Sequence, residues 1–112
     1  MQLPGREHVQ IEPAKVRDYL LSKAHPVGRF KAAFFEALGY SVFDWPRLES
    51  DLRQLAMTGD ATRGRLTSYG QHYEVRGTLY GPSGRTAQLT TIWITRSNEE
   101  IPRFITAFPG EK

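Results

Sequence analysis

Cysteine is absent from the 112-residue sequence, which excludes a disulfide scaffold, a thiol nucleophile and any Cys-ligated zinc or iron–sulfur site. Long apolar runs are missing as well, so no segment reads as a bilayer span. Residues Met1 to His8 lack a basic stretch followed by an apolar one, and no secretory signal is expected. Cytoplasmic residence is the expected default, although a toxin delivered by another domain would read the same way. The three histidines, His8, His25 and His72, are not closely paired and have no Asp/Glu cluster beside them, so no metal site is expected. No Gly-rich phosphate loop follows a strand, and no serine is marked as a nucleophile by a partnering His and acid. No cofactor is expected.

What is present suits one compact domain over residues 1–112, with 39% hydrophobic, 12% aromatic and 24% charged residues. The net charge of +3 is unevenly placed. Residues 1–60 hold eight charges of each sign, whereas residues 61–112 hold seven cations against four anions, and six of those cations are Arg. A planar guanidinium fork suits phosphate, so the excess leans towards a phosphate-bearing partner, with ordinary solubility charge as the plain alternative.

The first half reads as helical. Ile11-Glu12-Pro13 opens a helix with Pro at its first position, and Val16, Tyr19 and Leu20 form its apolar stripe. His25-Pro26 starts a second helix that runs to about Leu38 and stops at Gly39. Asp44 caps a third, with Pro46 in its first turn, Leu48, Leu52, Leu55 and Ala56 on one face, and Gly59 at its end. The period then changes to two over Thr62–Ser68, His72–Tyr80, Thr86–Thr95 and Arg103–Phe108, joined by short turn-like connectors. The expected fold is α+β, with three N-terminal helices packed on a four-stranded antiparallel meander.

Three places carry candidate chemistry. In His25-Pro26-Val27-Gly28-Arg29-Phe30-Lys31, the imidazole stands at an N-cap position that histidine does not favour. At about 100° per residue, Lys31 falls inside the arc of Val27, Phe30, Phe34, Phe35 and Leu38, while Arg29 projects away with Glu36. Lys31 is thus either an anchored functional cation or a residue that lays its methylenes on the core and snorkels to water. On the second strand, alternation puts His72, Glu74 and Arg76 on one face. General base, general acid and phosphate clamp are what metal-free RNA cleavage requires, and Arg63 and Arg65 extend that face if the first strand pairs in register. A solvated face with a cross-strand salt bridge has the same pattern. Thr106 is expected between Phe104 and Phe108 on one face of the last strand. Tyr69, Tyr73, Tyr80 and Trp93 are core residues or base-stacking platforms.

The string from His25 to Phe35 resembles the HPxGRxKAxFF signature of a family of small bacterial domains. Tyr69 to Arg85 resembles that family's YGxxYxVxGxLxGPxGR stretch, and Thr106-Ala107-Phe108-Pro109 its TAxP ending. The layout, helices followed by a four-stranded antiparallel sheet, is similar to the barnase–EndoU–colicin–RelE group of ribonucleases and toxins. That resemblance implies a site of His25, Lys31, Arg76 and Thr106, with His72 and Glu74 as proton carriers. The leading expectation is a metal-independent endoribonuclease that forms a 2′,3′-cyclic phosphate, with His25 or Glu74 as base and His72 as acid. Lys31 and Arg76 would bind phosphate, with Arg29, Arg63 and Arg65 contacting RNA. The rivals are a non-catalytic module (antitoxin, immunity-type or adaptor), with a small acidic protein as its partner, and an RNA-binding domain without cleavage.

Overall fold

The computed structural model describes residues 1–110 of the chain. Pro13 at the head of α1 (Pro13–Lys15) fits the first turn, where its missing N–H has no partner to lose. The chain continues into a π-helical segment (Val16–Leu20), in which the Leu21 N–H reaches back to the Val16 carbonyl at 3.0 Å. Val16, Leu20 and Leu21 are buried, and the wide turn carries Tyr19. Gly28 then packs on the backbone of that turn. A β-carbon there would run into the Tyr19 carbonyl oxygen, so only glycine permits the approach.

α2 (Arg29–Ala37) buries Ala32 and Phe35, followed by Leu38, and leaves Phe30 73% exposed and Val27 exposed. The expected apolar arc is therefore rotated: Ala32 joins its centre and Phe30 leaves it. Lys31 stays on the rotated arc because it lies between the angular positions of Phe35 and Leu38. α3 (Trp45–Thr58) buries Leu48, Leu52, Leu55 and Ala56. Asp44 stands at its N-cap position without a side-chain capping bond. Ser41 does the capping one turn earlier, its hydroxyl accepting from the Phe43 N–H at 3.1 Å.

β1 (Asp60–Thr67), β2 (Gly70–Tyr80), β3 (Thr86–Arg96) and β4 (Arg103–Pro109) form one antiparallel sheet in the order β1-β2-β3-β4. Its helix-facing side buries Ala61, Tyr73, Val75, Leu79, Leu89, Thr91, Trp93, Phe104 and Ala107. Trp93 packs edge-on to Phe104, and its indole N–H donates to the Thr91 hydroxyl, which donates to the Val75 carbonyl, each at 2.8 Å. No buried polar atom of that relay is left without a partner. The opposite side stays half-open. It is a hydrophobic floor of Ile92 and Ile94 bordered by polar side chains.

Each edge strand departs from ideal pairing. In β4, Ile92 pairs with Thr106 and Trp93 with Phe104, so Ile105 is an extra residue. This bulge reverses the alternation. Phe104 points into the core, whereas Thr106 and Phe108 lie on the open side, which corrects the expectation that all three share a face. The N-terminal segment covers the start of the β4 edge: the Gln10 N–H donates to the Pro102 carbonyl and the Phe104 N–H to the Gln10 carbonyl, both at 2.9 Å. In β1, one extra residue between Arg63 and Leu66 is fastened by the Gln71 amide, which donates to the Gly64 and Arg65 carbonyls at 2.9 and 3.3 Å. No helix among the described residues is long and apolar enough to cross a membrane.

The β3–β4 turn is closed by a bidentate pair, Arg103 donating to both Glu99 oxygens at 2.9 Å. That bonding holds the Glu99 carboxyl below the usual carboxylate range. A lowered folded-state pKa stabilises the fold above the ordinary range and loses that effect as pH falls through the lowered value. Glu99→Gln should therefore be destabilised relative to wild type at neutral pH, with the difference shrinking in acid. Urea midpoints at the two pH values measure this; equal differences would contradict the assignment.

Candidate functional site

The structure assembles its polar chemistry where the π-helical turn meets the bulged edge of the sheet. A cleft of about 570 Å³ lies between them, lined by Glu12, Lys15, Tyr19, His25, Ile105 and Thr106 among others. The Tyr19 and Thr106 hydroxyls share a hydrogen bond of 3.0 Å. The His25 ring stands edge-on to Tyr19 with centroids 5.0 Å apart, and the Lys15 ammonium lies 5.9 Å from the centre of the Tyr19 ring.

His25 owes its position to the backbone. Its Nδ1 accepts from the Val27 and Gly28 N–H groups, each at 3.0 Å, while its carbonyl accepts from the Arg29 N–H at 3.1 Å. The imidazole thus caps the turn that leads into α2, as a Ser or Asp side chain would. With Nδ1 so occupied, the ring hydrogen resides on Nε2, leaving a single N–H donor for the cleft.

Thr106 also belongs to a second array. The register aligns Thr62, Glu74, Ile92 and Thr106 in one row across the open side, and Asp60, Arg76, Thr90 and Phe108 in the next. Two strand spacings, about 10 Å, separate the backbones at Glu74 and Thr106, with Ile92 between them. Arg76 donates to the Thr62 hydroxyl at 2.7 Å and lies 3.5 Å from Asp60 and 3.6 Å from Glu74. Lys31 reaches the same side from α2, its ammonium 5.8 Å from the centre of the Phe108 ring. His72 is one row away beside Ile94, its Nδ1 buried without a hydrogen-bond partner among the described residues.

The sequence candidates are therefore distributed as follows. His25 and Thr106 line the cleft, Lys31 lies over the Phe108 ring, and His72, Glu74 and Arg76 lie across the sheet on the side of Thr106. Arg29 is outside this assembly, stacked 4.8 Å from the Phe30 ring centre on the exposed face of α2. Arg63 pairs with Tyr73 and so has the parity of the helix-facing side, while Arg65 sits within the β1 bulge. The first strand thus continues the Glu74 face with Thr62 rather than with Arg63. Sequence reasoning missed Tyr19 and Lys15. Tyr19 lies in the apolar stripe of its helix, and only the position of its hydroxyl separates it from an ordinary core aromatic. Among the described residues, no three His, Asp or Glu side chains cluster as metal ligands.

A protein-family model, Domain of unknown function (DUF6883), matches residues 2–111. No curated protein matches the sequence. Among solved structures, a chain of the contact-dependent growth inhibition toxin–immunity protein complex from Klebsiella pneumoniae 342 is similar with a TM-score of 0.71 and 21% identity, over 89% of this chain and 98% of its own. At that identity the likeness establishes a common fold.

If His25 caps the turn, His25→Ala should lose about 0.5–2 kcal/mol of stability, and His25→Asn, which restores a capping acceptor, should recover most of it. Chemical denaturation of the three proteins measures the series, and identical midpoints for the Ala and Asn variants would refute the capping role.

Proposed function

We propose that this chain, which belongs to the DUF6883 family, is one partner of a toxin–immunity pair and recognises a cognate protein. Its fold likeness to a chain of such a complex supports that role. The geometry favours the toxic partner, acting as a metal-independent endoribonuclease. The observation that carries this reading is the meeting of Tyr19, His25 and Thr106 in one cleft, with Thr106 in the same sheet row as Glu74.

A phosphate lying over Ile92 would be flanked on one side by Thr106 and the cleft and on the other by Glu74 and Arg76. Glu74 takes the 2′-OH proton as the 2′-oxygen bonds to phosphorus. His72 supplies a proton to the 5′-oxygen as its bond to phosphorus breaks. His25 cannot be the base while its Nδ1 accepts two amide hydrogens. Its Nε2–H instead donates, with the Tyr19 and Thr106 hydroxyls, to the non-bridging oxygens that gain charge in the transition state. Lys31 and Arg76 add positive charge around the same centre. The products are a 2′,3′-cyclic phosphate and a 5′-hydroxyl.

A second reading, a non-catalytic immunity-type or adaptor protein, is favoured by one observation. Phe43 is 96% exposed beside a groove of about 490 Å³ that also includes Leu21 and Val42, a surface suited to a protein contact.

Labelled RNA incubated with purified protein in EDTA separates the two. The ribonuclease reading predicts fragments ending in cyclic phosphate, with cleavage reduced about 10²–10⁴-fold by Glu74→Gln and about 10²–10³-fold by His25→Ala. Intact RNA over about pH 5–9, with protein freed of any bound partner, would support the binding module instead.

A further inference from the structure

The β1–β2 turn presents an aromatic ring that the fold does not use. Tyr69 is 77% exposed, yet its backbone is held from several directions. Its N–H donates to the Thr67 hydroxyl at 3.2 Å, and its carbonyl accepts from the Ser97 N–H at 3.1 Å. The Ser97 hydroxyl donates to the Ser68 carbonyl at 3.2 Å, which locks this turn to the β3–β4 turn. Gly70 completes the corner with a φ of +150°, and a β-carbon there would collide with the Thr95 carbonyl oxygen. A solvent-facing ring carried on a fixed backbone has less freedom to lose when something stacks on it.

Two cations belong to the same end of the sheet. Arg96 pairs with Gly70 next to Tyr69 and shares strand parity with Ile92 and Ile94, which puts it on the open side of the sheet. Arg65 lies in the bulge of the same hairpin. Both are exposed, and neither forms an ion pair among the described residues. The carboxylate that feels Arg96 is Glu99, whose two oxygens are already engaged by Arg103. From Ile92 to Arg96 is four residues of β3, roughly 13 Å at about 3.3 Å per residue.

We propose that Tyr69, Arg65 and Arg96 form a second subsite for single-stranded RNA, in which Tyr69 stacks on an unpaired base and the arginines hold neighbouring phosphates. The inference rests on the RNA-cleaving reading of the cleft and extends it: the substrate is a strand that runs along the open side of the sheet, read outside the cleavage point by stacking. Base–aromatic stacking and unpaired guanidinium groups are the two components that single-strand binding surfaces combine.

The test compares a dinucleotide with a hexanucleotide, both 2′-O-methylated to block cleavage, by fluorescence anisotropy, alongside cleavage of an unmodified hexanucleotide. Tyr69→Ala should weaken hexanucleotide binding about 5- to 100-fold and erase its advantage over the dinucleotide, while Tyr69→Phe retains it. Arg96→Ala should lower the salt dependence of hexanucleotide binding by about one charge. Arg85→Ala, a cation at the far turn, reports what loss of one surface charge does by itself. Cleavage of the unmodified strand with undiminished hexanucleotide binding by Tyr69→Ala would overturn the subsite and leave the catalytic reading standing. Tyr69-dependent binding without cleavage would uphold the subsite and remove the ribonuclease. Binding of neither oligonucleotide would overturn both.

Discussion

One extra residue in the last strand sets the geometry of the cleft. With regular alternation, Phe104, Thr106 and Phe108 would share a face, and the threonine would stand among core aromatics. The bulge at Ile105 sends Phe104 inward to Trp93 and turns Thr106 outward, where Tyr19 meets it at 3.0 Å. The helical layer is thereby tied to the sheet edge at the point where the cleft opens. Everything assigned to the cleft depends on that reversal.

A second constraint fixes the other wall. Gly28 lies against the Tyr19 carbonyl, and His25 uses its Nδ1 to cap the same turn. The His-Pro-Val-Gly segment is thus a folding device whose by-product is an imidazole aimed into the cleft with one nitrogen free. Such double use limits what the ring can do. A side chain whose Nδ1 accepts two backbone hydrogens is a positioned donor at Nε2. The cationic side chains follow the same logic: Arg76 is moored by Thr62, Asp60 and Glu74, whereas Lys15 and Lys31 rest on aromatic rings.

The architecture was largely legible in the sequence because it is punctuated by residues with strong backbone preferences. Pro13, Pro46, Gly39 and Gly59 mark helix ends, and the change of hydrophobic period after Gly59 marks the sheet. The polar strand His72, Glu74, Arg76 needed only period two. Three features were not legible. A one-residue bulge is decided by cross-strand partners, so alternation alone misplaced Thr106. Helix rotation is decided by what a helix packs on, so the arc of α2 was centred on Phe30 instead of on Ala32 and Phe35. Tyr19 has the spacing of a core residue, and its bond to Thr106 is made by the last atom of its side chain, which periodicity does not address.

The central claim is that the π-helical turn, the HPVG corner and the open side of the sheet act as one phosphate-binding surface. Amide chemical-shift mapping with a 2′-O-methyl dinucleotide tests it most directly. The account predicts shifts at Tyr19, His25, Thr106 and Ile92 together with Glu74 and Arg76, in a single binding isotherm. Shifts confined to the neighbourhood of Phe43, or a response at β2 that is independent of the cleft, would contradict it.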